Sequence, residues 1–112
     1  MAKLSDSIIT NIFTLQRSIV ESIDATTALE FRIFERWGET AETLTELEEL
    51  QNIEERLRTQ HTRLNTLLLT TVRSQPIASA DMLDLLYRAI DIAEATLDAC
   101  IASLQEIERN WD

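Results

Sequence analysis

From residue 83 to residue 111 the chain carries an unbroken seven-residue hydrophobic repeat. Leu83, Leu86, Ile90, Ala93, Leu97, Cys100, Leu104, Ile107 and Trp111 follow one another at alternating spacings of three and four. On an α-helix that spacing places one side chain per turn along a single seam. A helix with an apolar seam must hide it against other helices, so the repeat fixes the fold class as all-α. It does not fix a function.

Turn chemistry points the same way. The 112 residues include one glycine and one proline. Sheets and irregular folds need turn-forming residues more often than that, whereas long helices with few connections do not. At 45% apolar the chain is too hydrophobic to remain disordered, and its length suits one domain better than two.

Three segments of similar length emerge, at about 5–37, 41–73 and 80–110. The first opens at Ser5 or Asp6, either able to cap a helix. Its apolar face reads Ile8/Ile9, Ile12/Phe13, Ile19/Val20, Ile23, Ile33/Phe34 and Trp37. Gly38 suits the position just past a helix end, and Thr40 can cap the second helix. The second seam reads Leu44, Leu47, Leu50, Leu57, Leu64 and Leu68, with Glu54 and His61 filling two places. Ser74-Gln75-Pro76 breaks the helix and Ser79 caps the third. Helices of about 32 residues, roughly 48 Å each, joined by short connections lie antiparallel. The expected architecture is an up-down-up bundle of three long helices completed by dimerisation. The seam keeps its phase across Gly38, so a single rod spanning the first two segments is the competing arrangement.

The up-down-up arrangement predicts which side chains meet. Trp37 and Trp111 share one end. Ile33, Leu44 and Ile107 come next, and Ile12, Leu64 and Leu86 lie near the other end. Ile23, Glu54 and Leu97 form a mixed layer, with Glu54 reaching solvent to pair with Arg58 one turn on. Gln16, His61 and Ile90 form another. A buried hydrogen bond between Gln16 and His61 would fix the register, because any other alignment leaves a polar group unpaired. Glu30 also falls at a seam-like position. On the third helix Ala89, Ala93, Thr96, Cys100 and Ser103 form a line of small residues that permits close helix approach.

Some apolar residues exceed what one seam per helix requires. Leu29 and Phe31 widen the face at the end of the first helix, and Leu85, Ile92 and Ala99 lie off the seam of the third. Extra apolar surface of this kind marks an interface, and a homodimer is the expected use. Asp84, Asp91 and Asp98 stand seven apart on one line of the third helix. They form either a solvated face or a docking strip for a basic protein.

The formal net charge of −10 disfavours phosphate backbones and anionic membrane surfaces as partners. No apolar run approaches the ~20 residues of a membrane span, and the first residues lack a signal peptide's apolar stretch, so a cytoplasmic protein is expected. Cys100 stands alone on the seam as a small hydrophobe. His61 is the only histidine and Arg58 precedes it by three, so the Glu-x-x-His pairs of a di-iron bundle are missing. No glycine-rich phosphate loop is present. The expected function is a non-catalytic protein–protein interaction module, an adaptor or regulatory subunit, with no cofactor. A bundle that senses a small ligand or metal, and an acidic inhibitor or chaperone of a basic partner, are the alternatives.

Overall fold

The computed structural model describes residues 4–74 and 78–111. Three α-helices account for nearly all of them: α1 (Asp6–Trp37), α2 (Ala41–Arg73) and α3 (Ala80–Asn110). The expected break at Gln75 and Pro76 lies outside the described residues.

Each helix starts on a hydroxyl cap. The N–H of Ile8 donates to Ser5 Oγ at 3.3 Å, that of Thr43 to Thr40 Oγ1 at 3.0 Å, and that of Met82 to Ser79 Oγ at 3.1 Å. Every first turn carries an acid (Asp6, Glu42, Asp81) and every last turn an arginine (Arg36, Arg73, Arg109). Both placements complement the helix dipole.

The connection between α1 and α2 is a true hairpin, which removes the continuous rod. Gly38 takes φ +69° and ψ −159°, a region closed to residues with a Cβ. Its N–H donates to the Phe34 carbonyl at 2.8 Å and ends α1. Thr43 then locks the turn. Its hydroxyl accepts from the N–H of Thr40 at 2.7 Å and lies 2.7 Å from the Gly38 carbonyl. Together with the Thr40 cap this is a reciprocal capping box, with threonine where glutamate or glutamine is usual.

Chain direction follows from the ends. The rings of Trp37 and Trp111 meet edge to face, centroids 5.1 Å apart, and Arg32 on α1 reaches Glu108 on α3 at 3.5 Å. The C-terminal ends of α1 and α3 therefore coincide, and α2 runs back between them. The result is the expected up-down-up bundle, a rod 57 Å long and 20 by 17 Å across. α2 packs closely against both neighbours, while α1 and α3 touch each other more sparingly.

The core is a single column. From α2 it takes Leu50, Ile53, Leu57 and Leu64, all fully buried, and from α3 Leu86, Ala93 and Cys100, equally buried. From α1 it takes Ile12, Leu15, Ile19, Leu29 and Ile33. The α3 seam is buried as the repeat requires, apart from Leu83 and Trp111, which are half-buried.

Two phases differ from expectation. On α1 the inner seam is Ile12, Leu15, Ile19, Ser22, Thr26, Leu29 and Ile33. Phe13, Val20 and Phe34, expected on the apolar face, point outward. Two polar members hide this seam from a reading by hydrophobicity. Thr26 is nonetheless satisfied, because its hydroxyl donates to the Ser22 carbonyl one turn back at 2.7 Å. On α2 the buried line runs Thr43, Leu50, Leu57, Leu64 and Thr71. Leu44, expected in the layer of Ile33 and Ile107, is 51% exposed, and Thr43 is buried instead because the capping box draws it inward.

Truncation of Leu57 to alanine should cost about 2–5 kcal/mol in a denaturant melt, whereas Leu44→Ala should stay within about 0.5 kcal/mol of the parent. Equal effects would refute the observed phase of α2. Gly38→Ala should cost about 1–3 kcal/mol. The cost is conformational, since no described atom lies within 4 Å of the added Cβ; a neutral outcome would show that the hairpin backbone is not as described.

Candidate interaction surfaces

Core burial fixes what is left outside, and the exposed apolar residues are ordered. On α1, apart from Phe31 and Trp37, they fall on a second heptad line one residue out of phase with the inner seam: Ile9, Phe13, Val20, Ile23 and Phe34, with the polar Gln16, Thr27 and Glu30 between them. Side chains on this line lie about 100° round the helix from the core line. Ile9 and Ile23 are half-buried at the edge of the core, whereas Phe13, Val20 and Phe34 are 56%, 53% and 50% exposed. Near the hairpin this line borders an open groove of about 360 Å³ between Thr27, Glu30, Phe31 and Phe34 of α1 and Leu47 and Gln51 of α2.

A second surface lies where α2 meets α3. A groove of about 670 Å³ runs between Arg58, Thr59, Thr62, Arg63, Thr66 and Leu67 of α2 and Leu85, Arg88, Ala89 and Ile92 of α3. It continues into one of about 570 Å³ lined by Glu49, Asn52, Glu55, Arg56, Thr59 and Gln60 together with Thr96. Thr59 belongs to both. The groove is apolar with arginines on its rim at one end and carries acids at the other. Arg58 pairs with Glu54 at 3.0 Å and Arg88 with Asp84 at 2.9 Å, each within its own helix. Among the described residues Glu55 and Arg63 form no ion pair within the chain. The amide oxygen of Gln60 is shut from solvent without a hydrogen-bond partner.

The third surface is the tryptophan end. Leu29, Arg32, Ile33, Arg36, Trp37, Glu108 and Trp111 line an open groove of about 430 Å³ there with Phe31 and Glu35, and the Arg36 guanidinium stacks over Trp37 at 4.8 Å.

The residues singled out by sequence separate on this map. Leu85 and Ile92 are 54% and 46% exposed and line one groove, and Ala99 is exposed on the same line of α3. Phe31 is 67% exposed on α1. Leu29 is not free for a partner: it occupies the inner seam and is only 4% exposed. The Gln16–His61 pair does not form. Both side chains are half-buried, and no hydrogen bond joins them. Each sits one position off an inner line, Gln16 beside Leu15 and His61 beside Gln60, so both are only half-buried. Glu54 meets Arg58 as its spacing predicts. Asp84, Asp91 and Asp98 are exposed, but the Asp84–Arg88 pair interrupts the negative strip. The sequence reading placed Ile9, Phe13, Val20, Ile23 and Phe34 on the one apolar face of the first helix and did not separate them from the inner seam as an outer line.

Titratable chemistry is sparse. Among the described residues no cluster of three or more His, Cys, Asp or Glu side chains could hold a metal ion, and no helix is long and apolar enough to cross a membrane. Cys100 is fully buried, and loss of hydration pushes its thiol pKa up; nearby Arg56 opposes the shift and Glu49 adds to it. A raised thiol pKa means that the unfolded chain gives up this proton first. Stability is then unaffected below the unfolded thiol's pKa, near 8.5, and falls above it by at most about 1.4 kcal/mol per pH unit. Melts between pH 7.5 and 9.5 should show that fall, and Cys100→Ala should remove it. An unchanged slope in the variant would mean that the thiol is not held protonated by the core.

Compared with family models, with curated proteins and with solved structures, the chain matches none.

Proposed function

We propose that this chain is a non-catalytic protein–protein interaction module, a small acidic bundle of the adaptor or regulatory-subunit kind. The observation that carries the reading is the outer line of α1. One side of that helix is spent on the core, and the neighbouring side repeats the same seven-residue pattern in the open, with Phe13, Val20 and Phe34 each about half exposed. Scattered surface apolar residues are ordinary. A line of them at helical period along more than 20 residues has the spacing with which a helix packs on another helix.

The partner that fits is an amphipathic helix laid along α1, its apolar residues between Phe13 and Phe34. Large aromatic side chains at both ends of the line suit them as anchors, since truncation of such residues dominates interface energetics. The half-buried Gln16 and Glu30 set polar positions within the line, which select register rather than add affinity.

The reading is tested with a photoreactive residue at Val20 in the source cell. It should give one reproducible protein adduct that disappears when Phe13 and Phe34 are changed to serine. The same probe at Ala25, which is exposed about 140° round α1 from Val20, should give none. Both serine variants should melt within about 1 kcal/mol of the parent, because neither side chain is in the core. Equal adducts from both probe positions, or adducts unaffected by the serine changes, would remove α1 as the docking face.

A further inference from the structure

The groove between α2 and α3 is self-complementary, and we propose that a second copy of this chain occupies it, packed antiparallel about a two-fold axis at the level of Thr59 and Ile92. The proposal rests on the same reading of the chain as an interaction module but uses a different surface from the α1 line.

The level of the axis comes from how the two helices lie side by side. The first groove is lined by residues 58–67 of α2 and 85–92 of α3, the second by residues 49–60 of α2 with Thr96 of α3, and the two helices run antiparallel. Thr59 and Ile92 are therefore at the same height, midway along the groove. A two-fold axis there, perpendicular to the helices, lays α2 on α2 and α3 on α3 of the partner, each pair antiparallel. Such an interface is isologous, so whatever stands a given distance before the axis must suit what stands the same distance after it.

The sequence meets that condition on both helices. On α2, Glu55 lies four residues before Thr59 and Arg63 four residues after it. The axis sets Glu55 against Arg63 of the partner subunit and Arg63 against Glu55 of the partner subunit. Both line the groove, and among the described residues neither forms an ion pair, Glu55 acting on Arg58 only at longer range. On α3, Leu85 lies seven before Ile92 and Ala99 seven after it. Ile92 then meets Ile92 of the partner subunit, and the large Leu85 fills the space above the small Ala99 of the partner subunit. Thr59 at the centre is small enough to sit against its own copy. A two-fold axis parallel to the helices would instead lay α2 on α3 of the partner subunit and leave Glu55 and Arg63 unable to pair with each other.

Size sets the strength. The groove spans Glu49 to Thr66, about 26 Å along the axis, and two helix widths of about 10 Å each, so the footprint is on the order of 500 Å² per subunit. Specific interfaces begin near 600 Å² per partner. A footprint of this size belongs with weak, reversible association.

Sedimentation equilibrium of the full chain from 1 to 200 µM should show a concentration-dependent dimer. Ile92→Glu should raise the dissociation constant at least tenfold with helix content unchanged. Glu55→Arg and Arg63→Glu should each weaken the dimer several-fold, and the two together should restore it, because the swap rebuilds both ion pairs. A short bifunctional thiol crosslinker should join two copies of Thr59→Cys and leave Asn52→Cys unjoined, with the buried Cys100 silent in both. A monomer throughout the range would overturn the proposal, as would a dimer in which the double swap fails to recover or Asn52→Cys crosslinks as well as Thr59→Cys. A dimer that joins instead through Phe13→Cys would also overturn it and would place the second copy on α1. Apart from that last result, none of these outcomes bears on the Val20 adduct, which tests the α1 face alone.

Discussion

Everything in this bundle depends on α2 having two neighbours and one buried face. α1 and α3 meet each other only lightly, so α2 must present apolar side chains to both at once. It does so with Leu50, Ile53, Leu57 and Leu64, all without solvent contact. Each such burial contributes about 1.5–3 kcal/mol, and the cost of ordering a long helix in isolation is offset by little else. The hydroxyl caps and the acids and arginines at the helix ends decide where the rods begin and stop. They do not decide which way the rods face.

Helix orientation was legible to the extent that apolar residues marked it. α3 was readable because eight of its nine seam positions carry Leu, Ile, Ala or Trp and the ninth is a cysteine that packs as an apolar group. α1 was readable only in outline. Its inner seam passes through Ser22 and Thr26, and a hydrophobicity pattern steers around both toward Val20 and Ile23. The physical reason that Thr26 can be fully buried is local: the Ser22 carbonyl one turn back accepts its proton, so burial leaves no orphaned donor. Hydrogen bonds of that kind depend on side-chain rotamer and are invisible to periodicity. Leu44 fails for a related reason. Thr43 is pulled into the hairpin by its bonds to Thr40 and Gly38, and the residue that follows it is turned outward.

The polar register lock expected from Gln16 and His61 is replaced by something more local. With no cross-helix hydrogen bond in the core among the described residues, register rests on shape and on the hairpin, where Gly38 and Thr43 leave one way for α2 to leave α1. A cap of this sort sets the relative height of two helices at their shared end, and the tryptophan pair does the same for α1 and α3. The far end, where α2 gives way to α3, has Ser74 Oγ within 3.0 Å of the Met82 sulfur as a cross-connection. Most of the specific contacts that align the helices thus lie toward the hairpin.

That arrangement has a consequence for the exposed faces. Three helices of equal length around one column leave each helix with a second side, and a chain under selection only for solubility would fill those sides with charge. Here charge is placed unevenly. The line Asp84, Asp91 and Asp98 is charged, while the Leu85–Ile92–Ala99 line is not and the outer line of α1 carries only Glu30. Apolar residues on a solvated helix gain nothing from the monomer fold and raise the risk of non-specific association. The acidic surround limits that risk, since two copies with a net charge of −10 repel unless their contact restores specific pairs. Negative charge over most of the surface and apolar lines at helical period in two places are therefore complementary features. On the proposed reading, the first suppresses indiscriminate contact, and the second is where a partner with matching spacing overcomes it.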